Sequence, residues 1–328
     1  MESSKQNIKV QQLVTAVAVL LFILKIAAWN LTNSVAILTD ALESSVNVIT
    51  GFIGLYGLYL SSRPKDSNHP YGHGKIEFVT AAIEGTLILV AGLIIIYESL
   101  YNLNNPHEIV KLDIGILLIT ISAMVNYGVG LFAVKTGKKN NSLALIASGK
   151  HLMSDTYSTL GIIAGLFLVF ISDYLWIDSL VALLFAFFII FTGYRIIRQS
   201  VAGIMDEADK VLLGKLVALL NMERADTWID LHNLRIIKYG SILHLDCHLT
   251  VPWYFNVNEA HKEIDTLENL VKTHFGHSLE LFVHTDGCLE FSCKLCTLEN
   301  CQVRQSNFIN KMAWTVENIS SNRKHQLI

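Results

Sequence analysis

Charge is scarce in this sequence. Only 16% of its 328 residues are Asp, Glu, Lys or Arg, 52% are apolar and the net charge is -3, which excludes an ordinary soluble enzyme of this length. Without a basic surplus there is no electrostatic footprint for nucleic acid, and that class of partner is set aside. A cleavable leader is missing too. Lys5 and Lys9 precede an apolar run of full spanning length, with no small-residue cleavage site before the next one. Nor does any motif place a general base beside an open metal position, so a membrane-bound metal hydrolase has no support. What is plentiful is apolar sequence, and it is unevenly spread. Segments of roughly 20 apolar residues recur up to about residue 200, and ordinary soluble density follows.

Hydropathy places spans near Leu13–Leu31, Val35–Leu60, Phe78–Leu100, Leu112–Val134, Leu145–Ile171 and Leu175–Ile197. Each covers about 30 Å of hydrocarbon at about 1.5 Å per residue. With the N-terminus inside, the inner segments hold Lys5, Lys9, Arg63, Lys65, Lys75, Lys135, Lys138, Lys139, Arg195 and Arg198, against Lys111 outside. That asymmetry sets both termini in the cytoplasm, most simply of a cell at its plasma or inner membrane. Residues 1–203 are then a six-span transmembrane domain. Residues 204–286 are a cytoplasmic domain in a compartment that disfavours disulfides, and 287–328 are a Cys-rich tail with a C-terminal helix.

Ionisable groups at bilayer depth are expensive, so each is a candidate for function. Asp40, Glu43 and Asn47 are spaced i, i+3, i+7 and share one face of span 2. His151 and Asp155, four apart, share a face of span 5. An imidazole with carboxylates on facing helices is an arrangement that holds a first-row divalent ion, although polar side chains also act as helix glue. Lys25, Glu84 and Glu98 are weaker candidates. Lys25 can reach a polar partner or a headgroup, Glu98 lies near a span end, and Asn126 reads as a helix contact. The loop after span 2 places Asp66 beside two imidazoles four apart, His69 and His73, which could ligate or could simply be solvated.

From residue 208 the periodicity predicts a helix over Asp209–Met222, a strand over Trp228–Lys238, a Tyr-Gly-Ser turn and a strand over Ile242–Val251. A helix over Asn258–His274 and a strand over Leu279–His284 follow. The order αββαβ suits a small α+β ferredoxin-like sheet with helices on one face. Taken singly, His232, His244, His274 and His277 read as surface histidines, and Cys247 as core. Cys288, Cys293, Cys296 and Cys301 form a C-x4-C-x2-C-x4-C array. In a reducing compartment such an array suits a tetrahedral zinc or iron site, or else a set of redox-sensitive free thiols. Phe308, Met312, Val316 and Ile319 recur at helical spacing and predict an amphipathic helix.

Three stretches carry a resemblance: SVAILTDALESSVN from Ser34 to Asn47, HPYGHGKIE from His69 to Glu77, and HLMSD from His151 to Asp155. Their order and placement resemble the cation diffusion facilitator family, proton-coupled exporters of zinc, iron, manganese and cobalt, over roughly residues 10–286. The resemblance implies a homodimeric metal/proton antiporter working by alternating access, with its transport ion held by Glu43, Asn47, His151 and Asp155. It implies a second site at Asp66, His69 and His73, an ion pair from Lys75 to Asp206, and a binuclear cytoplasmic zinc site at His232, His248, His261, His284 and Asp286. Two positions depart from the pattern: Glu43 replaces the usual Asp or His, and neutral Asn47 replaces Asp. Asn ligates only through its amide oxygen, so the site carries less negative charge unless Asp40 turns inward. Zinc remains the first expectation, with iron or manganese open. Asn47 also leaves room for a non-transporting metal sensor or heteromer subunit.

Overall fold

The computed structural model describes residues 2–61, 63–105, 109–139, 143–172, 174–239, 242–276 and 279–327. The turn expected at Gly240 and Ser241, and His277, lie outside these residues. The chain forms two units: Met1–Tyr59 with Glu77–Val201, and Leu60–Ile76 with Ala202–Ile328.

The first unit is built from α1 (Glu2–Thr32), α2 (Val35–Ser61), α3 (Ile76–Asn104), α4 (Leu112–Lys139), α5 (Leu143–Ser172) and α6 (Trp176–Ile204). All six contain windows long and apolar enough to cross a membrane. Each covers its predicted span to within a residue and most run further, because helix continues into the polar flanks. Large apolar side chains such as Phe52, Met124, Phe167, Leu184 and Phe187 are exposed, as a lipid-facing surface requires. Small residues let backbones approach inside the bundle: a Cβ on Gly130 of α4 would lie 2.8 Å from the Gly149 carbonyl of α5. The start of α2 is tied down from α6. Asp178, fully buried, accepts from Ser34 Oγ at 2.6 Å, from the Val35 amide at 2.7 Å and from the Ala36 amide at 3.3 Å. It thereby satisfies helix-end donors that hydrocarbon cannot solvate.

The second unit contains α7 (Lys210–Met222), β1 (Asp230–Tyr239), β2 (Ile242–Val251), α8 (Val257–Phe275) and β3 (Leu279–Gly287), the predicted αββαβ order. The sheet order is β1-β2-β3, with β1 antiparallel and β3 parallel to β2, the parallel pair being joined through α8. Leu245, Cys247, Leu249 and Val251 of β2 enter one core with Leu216 and Leu220 of α7 and Leu267 and Val271 of α8. Alternation therefore turns His244, Asp246 and His248 to the opposite face. A register shift between His232 and Arg235 in β1, with Asn233 at φ 54°, moves the inward set from Leu231 to Leu234 and Ile236.

The tail departs from expectation. No helix runs through Phe308, Met312, Val316 and Ile319; only the single turn α9 (Val316–Ile319) forms. Phe308 is exposed, and the buried anchor is Trp314. Asn221 holds its backbone at both N–H (3.0 Å) and C=O (2.7 Å), and the Arg224 guanidinium stacks 3.9 Å from its ring centroid. Trp314 and Ile319 thus join the core of the domain itself.

Candidate metal centres

In the bundle, α2 and α5 meet along their polar faces. Asn47 Nδ2 donates to Asp155 Oδ2 at 2.7 Å, and His151 Nε2 lies 3.1 Å from Asn47 Oδ1. Two turns along, Thr159 of α5 donates to Asp40 Oδ1 at 2.8 Å. That carboxylate also receives Lys25 Nζ at 2.9 Å, with both side chains at most 2% exposed. Asp40 therefore turns to Lys25 of α1, leaving one oxygen without a hydrogen bond. Glu43, Asn47, His151 and Asp155 line one cavity of about 140 Å³, together with Glu84 of α3. A second cavity of about 330 Å³ shares Asn47, Glu84 and His151 with the first and reaches Gln11 and Ser148. Asn47 and His151 are thus open toward the ends of α1 and α5 nearest their N-termini, while Glu43 and Asp155 line only the inner cavity. Toward the other end lie the buried Lys25–Asp40–Thr159 group and then Asp178 with Ser34.

Two tighter groups lie in the second unit. Among the described residues, Asp66 with His69 and His73, and His232 with His248 and Asp286, have ligand atoms within 4.8 Å of one another. In the first, Asp66 Oδ1 is 3.0 Å from His69 Nδ1 and Oδ2 is 3.4 Å from His73 Nε2, the two rings lying 4.3 Å apart. The His69 backbone N–H, against desolvation and with help from the His69 ring and the Asn68 N–H, holds the Asp66 carboxyl below its usual range.

The second group is a product of register. His232, His248 and His284 are consecutive partners across β1, β2 and β3, on the face away from the helices. Asp286, one rung along, turns Oδ2 to His232 Nε2 at 3.7 Å and His248 Nδ1 at 3.4 Å, and Oδ1 to His284 Nε2 at 3.6 Å. Such separations suit ligands sharing a tetrahedral ion, which sit about 3.3 Å apart when each is about 2.0–2.1 Å from the metal. Burial, then the imidazole of His232, pushes His248 below its ordinary value and keeps it in the ligating form. His261 is not brought to this group. It is exposed on α8, 3.7 Å from Asp265.

Several participants were not expected from sequence. Asp230 lies 3.5 Å from His232 Nδ1 and 2.5 Å from His325 Nδ1, so one carboxylate orients an imidazole of the group and a histidine of the tail. Its burial would raise its pKa, but these hydrogen bonds outweigh burial and hold it well below the carboxylate range. Lys324 reaches Asp286 Oδ1 at 3.5 Å. His244 is not a surface residue: it is buried beneath Tyr71, Tyr239 and Phe282. Lys75 pairs with Asp206 at 2.9 Å, as the resemblance implied. Cys247 is core, its thiol pushed up to about 12 by burial.

A bundle of six spanning helices with a cavity lined by carboxylates, an amide and an imidazole, joined to a mixed α/β domain bearing His/Asp groups, defines a multi-pass membrane transporter of cations. The comparisons identify which kind. Residues 12–205 match the cation efflux transmembrane domain and 220–288 the cytoplasmic domain of cation efflux proteins. An uncharacterized transporter of Synechocystis is 31% identical over 76% of this chain and 80% of its own. The manganese efflux system protein MneP of Bacillus subtilis is 23% identical over 79% and 88%. A cadmium, cobalt and zinc antiporter of the same species is 24% identical over 77% and 83%. The chain belongs to the cation efflux, or cation diffusion facilitator, family, and it is a divalent cation efflux transporter rather than an enzyme.

Proposed function

We propose that the exported ion is zinc, held between α2 and α5 by Glu43, Asn47, His151 and Asp155, and that it leaves in exchange for protons by alternating access. The observation that supports this most is the pair of cavities meeting at Asn47, Glu84 and His151. With the basic flanks of the helices in the cytoplasm, the larger cavity is a cytoplasmic entrance and the Lys25–Asp40–Thr159 group closes the far side. The amide oxygen of Asn47 can only accept, so His151 Nε2 carries the proton between them. Ligation needs Nε2 bare and the carboxyl groups ionised, so an entering metal displaces the protons carried by the acids and by the imidazolium form of His151, and protons returning from outside expel the metal. One imidazole among oxygens favours zinc over magnesium-like ions while leaving iron and manganese as competitors. The manganese and the cadmium, cobalt and zinc relatives are almost equally distant, so likeness does not choose between them.

The test is flux in proteoliposomes under an imposed pH gradient, across zinc, iron, manganese, cobalt and cadmium. Zinc is expected to be fastest, and Asp155→Ala to abolish flux without unfolding the protein; undiminished flux in that variant removes α5 from the path. A second reading, a non-transporting sensor or heteromer subunit, draws on Asn47, whose amide occupies both His151 and Asp155. No flux in the natural chain and a large gain in Asn47→Asp would favour it.

The cytoplasmic groups, Asp66 with His69 and His73 and Asp286 with His232, His248 and His284, serve as regulatory metal sites. They fill as cytoplasmic metal rises and stabilise a homodimer in which His261 is free to engage a second copy.

A further inference from the structure

The tail between Gly287 and Trp314 presents a packing problem. It makes one short 3-10 turn, Glu290–Lys294, and otherwise no regular structure until α9. Leu289, Val303, Phe308 and Ile309 are all exposed, and only Ser292, Leu295 and Cys296 are buried before Trp314. So little apolar burial cannot by itself offset the entropy of fixing such a stretch, and small units of this kind are ordinarily stapled by disulfides or metal. Cys288, Cys293, Cys296 and Cys301 are all free thiols.

We propose that these four cysteines form a tetrathiolate site for a zinc-class ion, separate from the transported ion and from the histidine groups, which fastens the tail to the domain. Their environment is that of a metal-binding turn. Cys293 and Cys296 are joined by a hydrogen bond from the Cys296 N–H to the Cys293 carbonyl at 3.4 Å, which folds the C-x2-C segment back on itself. Cys288 is fixed to the end of β2 through its N–H to Val251 O at 2.9 Å. Backbone N–H groups point at sulfur: Leu298 at Cys296, two residues before it, and Trp253 at Cys288. The Tyr254 hydroxyl bonds Cys301. Arg304 donates to the carbonyls of Cys293 (3.0 Å), Cys296 (3.1 Å) and Leu298 (2.7 Å), setting a fixed positive charge beside what becomes a doubly negative centre. No three of the sulfurs are within the 4.8 Å met by the two His/Asp groups. An ion about 2.3 Å from each would hold them about 3.8 Å apart, so ligation tightens the turn.

The test uses the full chain, purified under reducing conditions with His232→Ala and Asp286→Ala, His69→Ala and His73→Ala, and Asp155→Ala to empty the three other candidate sites, then loaded with zinc and dialysed. X-ray absorption at the zinc edge is expected to show an all-sulfur shell at about 2.3 Å. Alkylation read by mass spectrometry is expected to show all four cysteines protected by zinc and released by a strong chelator. A nitrogen-and-oxygen shell, or alkylation of the four thiols at the same rate with and without zinc, overturns the proposal. Neither measurement depends on a cysteine variant folding. As a further check, Cys293→Ser with Cys296→Ser is expected to lose the sulfur-bound zinc; retention of that zinc in a folded variant also counts against the site.

Discussion

Lys25 and Asp40 are buried charges inside a bundle of spanning helices, and each is there because of the other. Removing one partner of a buried pair strands a charge, at about 3–5 kcal/mol, whereas removing both can be nearly neutral. Lys25→Met is therefore expected to lower the thermal stability of the detergent-solubilised protein sharply, and Lys25→Met with Asp40→Asn to recover most of it. An equal loss in the double variant would show that Asp40 has a duty beyond the pair. At the other end of the chain, Lys324 places an ammonium 3.5 Å from the Asp286 oxygen that also faces His284. A tethered cation there would compete with a metal at the proposed site for the same carboxylate. Lys324→Met should tighten zinc binding by roughly 2–5 times, the equivalent of about 0.5–1 kcal/mol for a partly solvated pair. Competition with a chromophoric chelator measures it, and unchanged affinity would mean that the lysine steps aside at no cost.

At the scale of the element, α7 illustrates how much a helix end depends on its cap. Asp209 accepts from the N–H groups of Val211 at 3.1 Å and Leu212 at 2.9 Å, and pairs with Lys238 of β1. Asp209→Ala should cost about 1 kcal/mol and Asp209→Asn much less. The Lys238 hydrogen bond, then the Leu212 N–H, lower the carboxyl from 3.8. Its contribution is therefore present above that pH and is lost as pH falls through the depressed folded value. Hydrogen exchange in the first turn of α7 should reveal an acid-side loosening that Asp209→Asn lacks. The helices and strands themselves were legible in the sequence, because spanning length and the change from a 3.6 to a 2 residue period are local signals. His232, His248, His284 and Asp286 were readable from the resemblance, while their meeting on one face depends on strand pairing and on the shift after His232. The tail was not legible. Phe308, Met312, Val316 and Ile319 imitate helical spacing, but Trp314 is held by hydrogen bonds from Asn221 and by stacking of Arg224, about ninety residues away, and no local pattern encodes that. His244 was misread as a surface residue for a similar reason, since Tyr71 covers it from a distant loop.

Across the whole molecule, the polar cavity of the helical unit and the histidine groups of the α/β unit make separable demands on a metal. At the transport site proposed in the first, a ligand that gives up its proton to bind and regains it to release makes occupancy transient and ties it to a pH gradient. In the second, three imidazoles stand in register beside a carboxylate that His248 and His284 approach from different oxygens, an arrangement fit for retention. Substitutions in the two units should therefore dissociate the functions. Asp155→Ala is expected to stop zinc flux and the accompanying proton movement while leaving zinc bound at the histidine group, as measured by metal content after dialysis. His232→Ala is expected to leave proton-coupled flux intact at saturating zinc but to remove the rise in rate that follows when cytoplasmic zinc is increased from low levels. If a folded His232→Ala protein carries no zinc at any concentration, the histidine group lies on the ion's route, and regulation is the wrong description of what it does.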